Sequence, residues 1–389
     1  GFLCRCADQY GDVVKLKIGE LTFLLNNPED IKHVLVTNSE NFDKGPRLSS
    51  PRGKRLSGHG LVTSSGSVHL RQRRMMQPVF YRTSIQAFAE TITNETEQKL
   101  ATWKGETEVN IREEMMSLAK SNIIKTVFGQ NFEDRMGELG KAITIRRTYL
   151  NHVYFSLLPF PEYIPPKIAR DYRQAGKIIE ETLYREINRR REIPYPPHDM
   201  LSLLMQAKYE DGTGMIDQQI RDEVLTVFSA GLETTGDALT WTWYLISQHG
   251  DVQSKILIEL EEILKGRVPD VGALPKLRYT AMVLGESLRL FSPTWLFVRT
   301  PKNHDVLPSG ISIPAGSKLY LCPYAMHRNG RYWSNPEQFN PERFTESAKK
   351  ERPQFSYFPF GGAFGSVSGK HLPKCRSSWC WLPLPNVLP

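Results

Sequence analysis

Four short runs hold residue types that could do chemistry. Ala230-Gly231-Leu232-Glu233-Thr234-Thr235 sets an acid and two hydroxyls into an apolar helical pattern made by Ile220, Val224, Phe228, Leu239, Trp243 and Ile246. Gly231 leaves room beside this helix. A threonine hydroxyl there can bond back to a carbonyl one turn earlier and loosen the helix, a distortion that often marks a functional site. His69 and Arg73 lie four apart and share a helix face; a guanidinium forks onto carboxylates. Glu286 and Arg289, three apart, share another face. Last, Phe360-Gly361-Gly362 opens a glycine-rich turn that runs to Gly369. Glycines there allow close backbone approach and positive φ. Taken singly, the charged pairs are most often solvated surface pairs worth little.

In this order and at these spacings the runs resemble the cytochrome P-450 superfamily, the haem-thiolate monooxygenases. The resemblance covers Gly11 to Gly362. It implies haem b (iron protoporphyrin IX), O₂, a small apolar substrate, and NAD(P)H electrons delivered by a reductase or ferredoxin. It implies that His69, Arg73 and Arg299 bind haem propionates. Phe360, Gly362 and Gly369 shape the haem loop. Thr234 orders a water at the oxygen site, and Glu233 feeds protons to it. Glu286, Arg289 and Arg343, the last within Pro341-Glu342-Arg343-Phe344, form a structural network that supports the loop. Haem iron in this class takes a cysteine thiolate. That position is Val367 here, so no metal ligand stands in the sequence as written.

The codons offer a reason. Phe364 to Ser368 back-translate as TTY GGN TCN GTN TCN. Read one base earlier, NTT YGG NTC NGT NTC can encode Ile-Arg-Val-Cys-Ile, which suits the loop. Trp379-Cys380-Trp381-Leu382-Pro383, shifted likewise, gives Val-Leu-Ala and a small residue or proline, an apolar helix. The expectation is a P-450-like domain over residues 1–372, incomplete at its C-terminus, with 373–389 an aberrant tail out of register. Gly369–Leu372 remain in register. Two rivals stand: a non-catalytic relic that binds an apolar ligand or nothing, and a haem-thiolate isomerase or dehydratase. Glu233 and Thr234 argue against the second.

The elements that must position these groups are mainly helical, with a small β portion from an N-terminal hairpin and residues 297–321. Val13–Ile18 and Leu21–Leu25 read as the hairpin, entered almost at once from Gly1. Asn27-Pro28-Glu29-Asp30 reads as a helix start. Residues 43–67, rich in glycine, serine and basic side chains, read as a long loop. Residues 84–191 are helical by period, broken at Leu157–Lys167 and at Pro194-Tyr195-Pro196-Pro197.

The chain has 389 residues, 40% hydrophobic and 24% charged, with net charge +8. This is a globular composition. Basic residues are scattered, without an arm or finger motif for nucleic acid; an acidic redox partner would be drawn to them. Five cysteines without framework spacing suggest a reducing compartment and no structural metal. No window nears a membrane span. The expected location is cytoplasmic for a bacterial protein, or membrane-associated if an N-terminal anchor precedes Gly1.

Overall fold

The structure is a computed structural model that describes residues 1–18, 20–103, 108–132, 136–155 and 166–364. Val367, Gly369, Cys375, Cys380, the tail 373–389 and most of the Leu157–Lys167 connector lie outside the described residues. Helices dominate, and the chain divides into two compact units. One comprises Gly1–Gly45, Asn110–Met115 and the chain from Thr234 onward; the other comprises Pro46–Val109 and Met116–Glu233.

The first unit holds the sheet. Strands β1 (Val13–Ile18) and β2 (Glu20–Leu25) form the antiparallel hairpin, with Val13 opposite Leu25. The order is β1-β2-β7-β4-β3, where β3 is Phe42–Lys44, β4 Phe297–Pro301 and β7 Lys318–Leu321. β5 (Asp305–Val306) and β6 (Ser312–Ile313) make a separate ribbon. Leu25, Ile313, Leu319 and Leu321 from the strands are fully buried with Phe355 and Phe358, so the segment that approaches the glycine turn belongs to the core of the sheet.

Helix α2 (Pro28–Lys32) starts as its residues dictate: Asn27 Oδ1 accepts the Glu29 N–H at 2.9 Å, Pro28 occupies the first turn, and Glu29 and Asp30 face the positive end. Two expectations are corrected. A helix α1 (Phe2–Tyr10) precedes the hairpin; its Cys6 and Ala7 pack with Val14, Leu16 and Leu24, a stripe too narrow to stand out in the sequence. Residues 43–67 are not one loop. They contain part of β3 and two short helices, α3 (Pro46–Ser49) and α4 (Pro51–Ser57); Ser50 caps α4 by accepting the Gly53 N–H at 3.1 Å, and Pro51 starts it.

In the second unit, α5 (Gly66–Met76), α6 (Arg82–Ala101), α8 (Met136–Phe155), α9 (Pro166–Arg191) and α10 (Met200–Gln206) pack as helices on helices. Asp199 caps α10 through the Ser202 N–H at 2.9 Å and also receives Arg190 at 2.6 Å. Helices α7 (Ile111–Phe128) and α11 (Asp217–Ser247) contribute residues to both units. In the first unit, α12 (Gly250–Leu264) packs on α13 (Arg278–Leu290), and α14 (Pro323–Met326) and α15 (Glu346–Glu351) lie along the run toward the turn. Among the described residues no helix is long and apolar enough to cross a membrane.

Candidate functional site

Within the first unit, α13 puts Glu286 and Arg289 on a face that is wholly buried, 0% exposed for both side chains. Arg289 donates from Nε to Glu286 Oε2 at 2.7 Å and from Nη2 to Oε1 at 2.8 Å. Its other donors reach the carbonyls of His327, Pro336 and Gln338. All five guanidinium N–H groups therefore have acceptors. Arg343 Nε reaches Glu286 Oε1 at 3.3 Å, and the Asn340 N–H donates to the same oxygen at 2.9 Å. The structure brings these three residues together as one closed network. Gly285 lets it close, since a Cβ there would meet Phe344 at 2.7 Å.

The network fixes the approach to the glycine turn. His327 is fully buried; its Nε2 accepts the Phe358 N–H at 3.0 Å, so Nδ1 carries the proton and donates to the Arg289 carbonyl at 3.2 Å. Burial pushes its pKa well below the usual histidine range, with the Arg289 carbonyl opposing the shift. The Tyr357 hydroxyl donates to Gly285 O at 3.0 Å, and the Trp333 indole N–H to Ser356 O at 3.3 Å. Arg352 lies over the Trp333 ring at 4.2 Å and the Phe344 ring at 5.0 Å, cation–π contacts that close the rear of this cluster. Phe360 is half-buried at the head of the turn. Gly361 has φ 66, and a Cβ on Gly362 would sit 2.9 Å from the Leu35 carbonyl, so neither accepts a side chain easily.

Arg299 lies in β4, half-buried, opposite Lys44 and Leu319. It donates to its neighbour Val298 O at 2.9 Å, and among the described residues no carboxylate pairs with it. Desolvation lowers its pKa. A guanidinium in that state fits a carboxylate-bearing group. Cys322 offers no thiolate here: burial pushes its thiol up to about 12.

Within the second unit, His69 and Arg73 lie on α5. His69 Nδ1 is 3.2 Å from the Leu61 carbonyl and 3.4 Å from Ser64 Oγ, which orients the ring, while Arg73 is exposed. The preceding turn is clamped to α11: buried Asp222 accepts the His59 N–H at 2.8 Å and buried Glu223 the Leu61 N–H at 2.9 Å. Gly60 permits this approach, since a Cβ there would stand 2.5 Å from the Asp222 carbonyl.

Helix α11 runs unbroken from Asp217 to Ser247, so the expected loosening at the Thr motif does not appear as a change of helix type. Ser229, Thr240 and Thr242 each bond back to the carbonyl four residues earlier, and the backbone ladder persists around them. At Gly231 a neighbour comes close, since a Cβ there would stand 2.9 Å from Ile123 Cδ1. Glu233 and Thr234 are half-buried. Glu233 faces α8, its Oε1 3.7 Å from Arg147 Nη1. A cavity of about 180 Å³ opens at this point, walled by Ile143, Leu150, Ile179, Leu225 and Phe228 and edged by Arg146, Arg147 and Glu233.

A family model described as cytochrome P450 matches residues 1–363. The chain belongs to the cytochrome P450 family. It is 32% identical to a cyclooctatin synthase of Streptomyces melanosporofaciens, over 97% of this chain and 84% of that protein. It is 31% identical to the cyclooctat-9-en-7-ol 5-monooxygenase of the same organism, over 93% and 79%. To the pentalenene oxygenase of Streptomyces avermitilis it is 28% identical, over 90% and 78%. A solved cytochrome P450DA heme domain superposes with a TM-score of 0.85 at 22% identity, covering 100% of this chain and 84% of that one. A retinoic acid-bound cyanobacterial CYP120A1 gives 0.83 at 21%, covering 99% and 84%. At those identities the two structures establish the fold. The family and its named monooxygenases make this P450 an enzyme of the monooxygenase kind, and the family's cofactor is haem.

Among the described residues of this P450, Arg299 fits a haem carboxylate, while the turn at Gly361 and Gly362 packs against Phe297 and Leu35. At position 367 the sequence supplies a valine, which has no atom that ligates iron. Asp222, Glu223 and Arg147 were missed in the sequence. The acids on the apolar stripe of α11 were a usable signal. Arg146 and Arg147 inside the apolar period of α8 were another.

Proposed function

We propose that this P450 is a haem monooxygenase for an apolar, cyclic, terpene-like substrate, driven by NAD(P)H through a reductase or ferredoxin, with its ligand loop restored to register beyond Ala363. The reading rests first on α11, which carries Glu233 and Thr234 half-buried next to the tight approach at Gly231. The names of the relatives and the apolar walls of the cavity support the substrate class. Support for the register comes from the family match, which stops at residue 363, one residue before Phe364, where the codon argument puts the lost base.

The groups assigned to the haem carboxylates are Arg299, His69 and Arg73. Phe360, Gly362 and Gly369 shape the loop, and Glu286, Arg289 and Arg343 hold the scaffold behind it. Haem with a thiolate ligand supplies the activation of O₂ and the insertion of one oxygen atom, the other leaving as water. Glu233 passes protons inward, and the Thr234 hydroxyl holds the water that receives them. One catalytic domain spans residues 1–372, with 373–389 foreign to it.

The test is turnover under ¹⁸O₂ by protein restored to register, supplied with NAD(P)H, a ferredoxin and its reductase, and a panel of cyclic terpene hydrocarbons, alcohols and acids. The expected product carries one labelled oxygen atom, and NAD(P)H consumption requires O₂. Product formed without O₂ would replace this reading with an isomerase or dehydratase. Haem-loaded protein that consumes no NAD(P)H would overturn it in favour of the relic.

A further inference from the structure

We propose that the substrate of this P450 carries a carboxylate that docks on Arg147, making it an apolar carboxylic acid held acid-first in the cavity among α8, α9 and α11. The proposal rests on the monooxygenase reading above and adds the polar end of its substrate.

The cavity is apolar on most of its wall, through Ile143, Leu150, Ile179, Leu225 and Phe228. Its one charged edge is unevenly satisfied. Arg146 is used internally through two of its nitrogens: Nη2 donates to the Leu56 carbonyl at 2.6 Å and Nη1 to the Tyr172 hydroxyl at 3.2 Å, while its Nε has no acceptor among the described residues. Arg147 is not. Its Nε and Nη1 are buried, and among the described residues neither has a hydrogen-bond acceptor. The nearest acid, Glu233, stops at 3.7 Å from Nη1, beyond hydrogen-bond reach. Among the described residues that line this space, two guanidinium groups stand beside one carboxylate. Donor atoms buried without an acceptor gain when an anion meets them. A neutral alcohol can accept one N–H but cannot bring a negative charge; a carboxylate does both.

The cavity's size selects a probe for the acid end of the ligand, not the whole substrate. A dry apolar cavity of about 150 Å³ accepts benzene, so about 180 Å³ takes a six-carbon ring with a short acid arm. Phenylacetate and 2-phenylethanol are therefore matched probes that differ in the carboxylate alone.

The experiment is isothermal titration calorimetry at pH 7.5 on the full chain as sequenced. The cavity lies within residues 46–233, before Phe364, so binding needs neither haem nor restored register. Failure here thus leaves the ¹⁸O₂ test of the monooxygenase reading untouched, and the reverse holds too. Phenylacetate is expected to bind at least about tenfold tighter than 2-phenylethanol, as a charge-assisted bond implies. Arg147→Gln is expected to erase that preference and Arg147→Lys to keep part of it. Ile143→Trp, which fills the cavity, is expected to weaken both ligands, and it serves if Arg147→Gln fails to fold. Equal affinity for acid and alcohol, no binding of either, a preference that survives Arg147→Gln, or affinities untouched by Ile143→Trp would each overturn the proposal.

Discussion

Two arginine-centred regions of this P450 differ in how completely their charge is answered. At Arg289 every donor is taken, by Glu286 and three carbonyls, and Arg343 completes the balance around the same acid. At Arg147, among the described residues, Nε and Nη1 have no acceptor, and Glu233 stays at 3.7 Å. A closed network is built to hold the chain in place, because breaking it strands a buried charge. An open one sits beside empty space that something else can fill. The same side chain, wholly buried at Arg289 and half-buried at Arg147, thus reads as scaffold in one region and as recognition in the other.

Substitution breaks this comparison most sharply at Glu286. Glu286→Gln leaves Arg289 buried without its counter-charge and should cost about 3–5 kcal/mol of stability. Arg147→Gln should change stability by no more than about 1 kcal/mol, since it removes only a long, half-exposed ion pair to Glu233. Denaturant unfolding of the two variants side by side checks this; equal losses would erase the distinction. Next comes Gly60→Ala, whose Cβ would stand 2.5 Å from the Asp222 carbonyl. Overpacking against backbone of this kind costs about 1–3 kcal/mol, and the clamp that sets His69 should loosen with it.

A third effect follows pH. His327 is neutral in the folded protein because burial holds its pKa well below the usual range. Once unfolded, the imidazole binds a proton near pH 6.5. Below that pH the unfolded chain carries more protons than the folded one, so stability falls as pH drops, by up to about 1.4 kcal/mol per pH unit. The contribution is fully present above the unfolded pKa. His327→Gln should flatten the difference between unfolding at pH 7.5 and pH 5.5; an unchanged difference would assign it to other groups.

The smallest effect on stability is expected at Thr234. In register-restored protein, Thr234→Ala should leave the melting temperature nearly unchanged while NAD(P)H use uncouples from product and peroxide is released. An unchanged coupling ratio would reduce Thr234 to a side chain without a proton role.

These contrasts were unevenly legible in the sequence. Period and spacing gave α11, α13 and the hairpin, because their buried faces recur over several turns or alternate strictly. The pairing of Glu286 with Arg289 was legible as spacing, but spacing cannot distinguish a buried pair from a surface one; burial comes from α12, the residue 327–343 segment and Phe344 closing over α13. The helices α3 and α4 are too short to show a period, and their signal lay only in Ser50-Pro51. Arg147 was hidden for a different reason: adjacent arginines normally mark a solvated face, and only the packing of α8 against α9 brings both of them to the edge of the cavity. Position 367, where the resemblance expects the ligand, holds a valine in the sequence and lies outside the described residues.

The account depends most on that position. The direct measurement is the absorption spectrum of reduced, CO-treated protein in three versions: as sequenced, with Val367→Cys, and with register restored from Phe364. The sequenced protein should show no thiolate-haem band. Val367→Cys alone should recover only part of it, because Gly365 stands where the restored reading has an arginine for a propionate. Pro373, Pro383 and Pro385 also stand where that reading expects an apolar helix, and a helix-interior proline costs about 3 kcal/mol. The restored protein should show the full band. A band from the protein as sequenced, a single substitution that equals the full repair, or a restored protein that binds no haem would contradict the account.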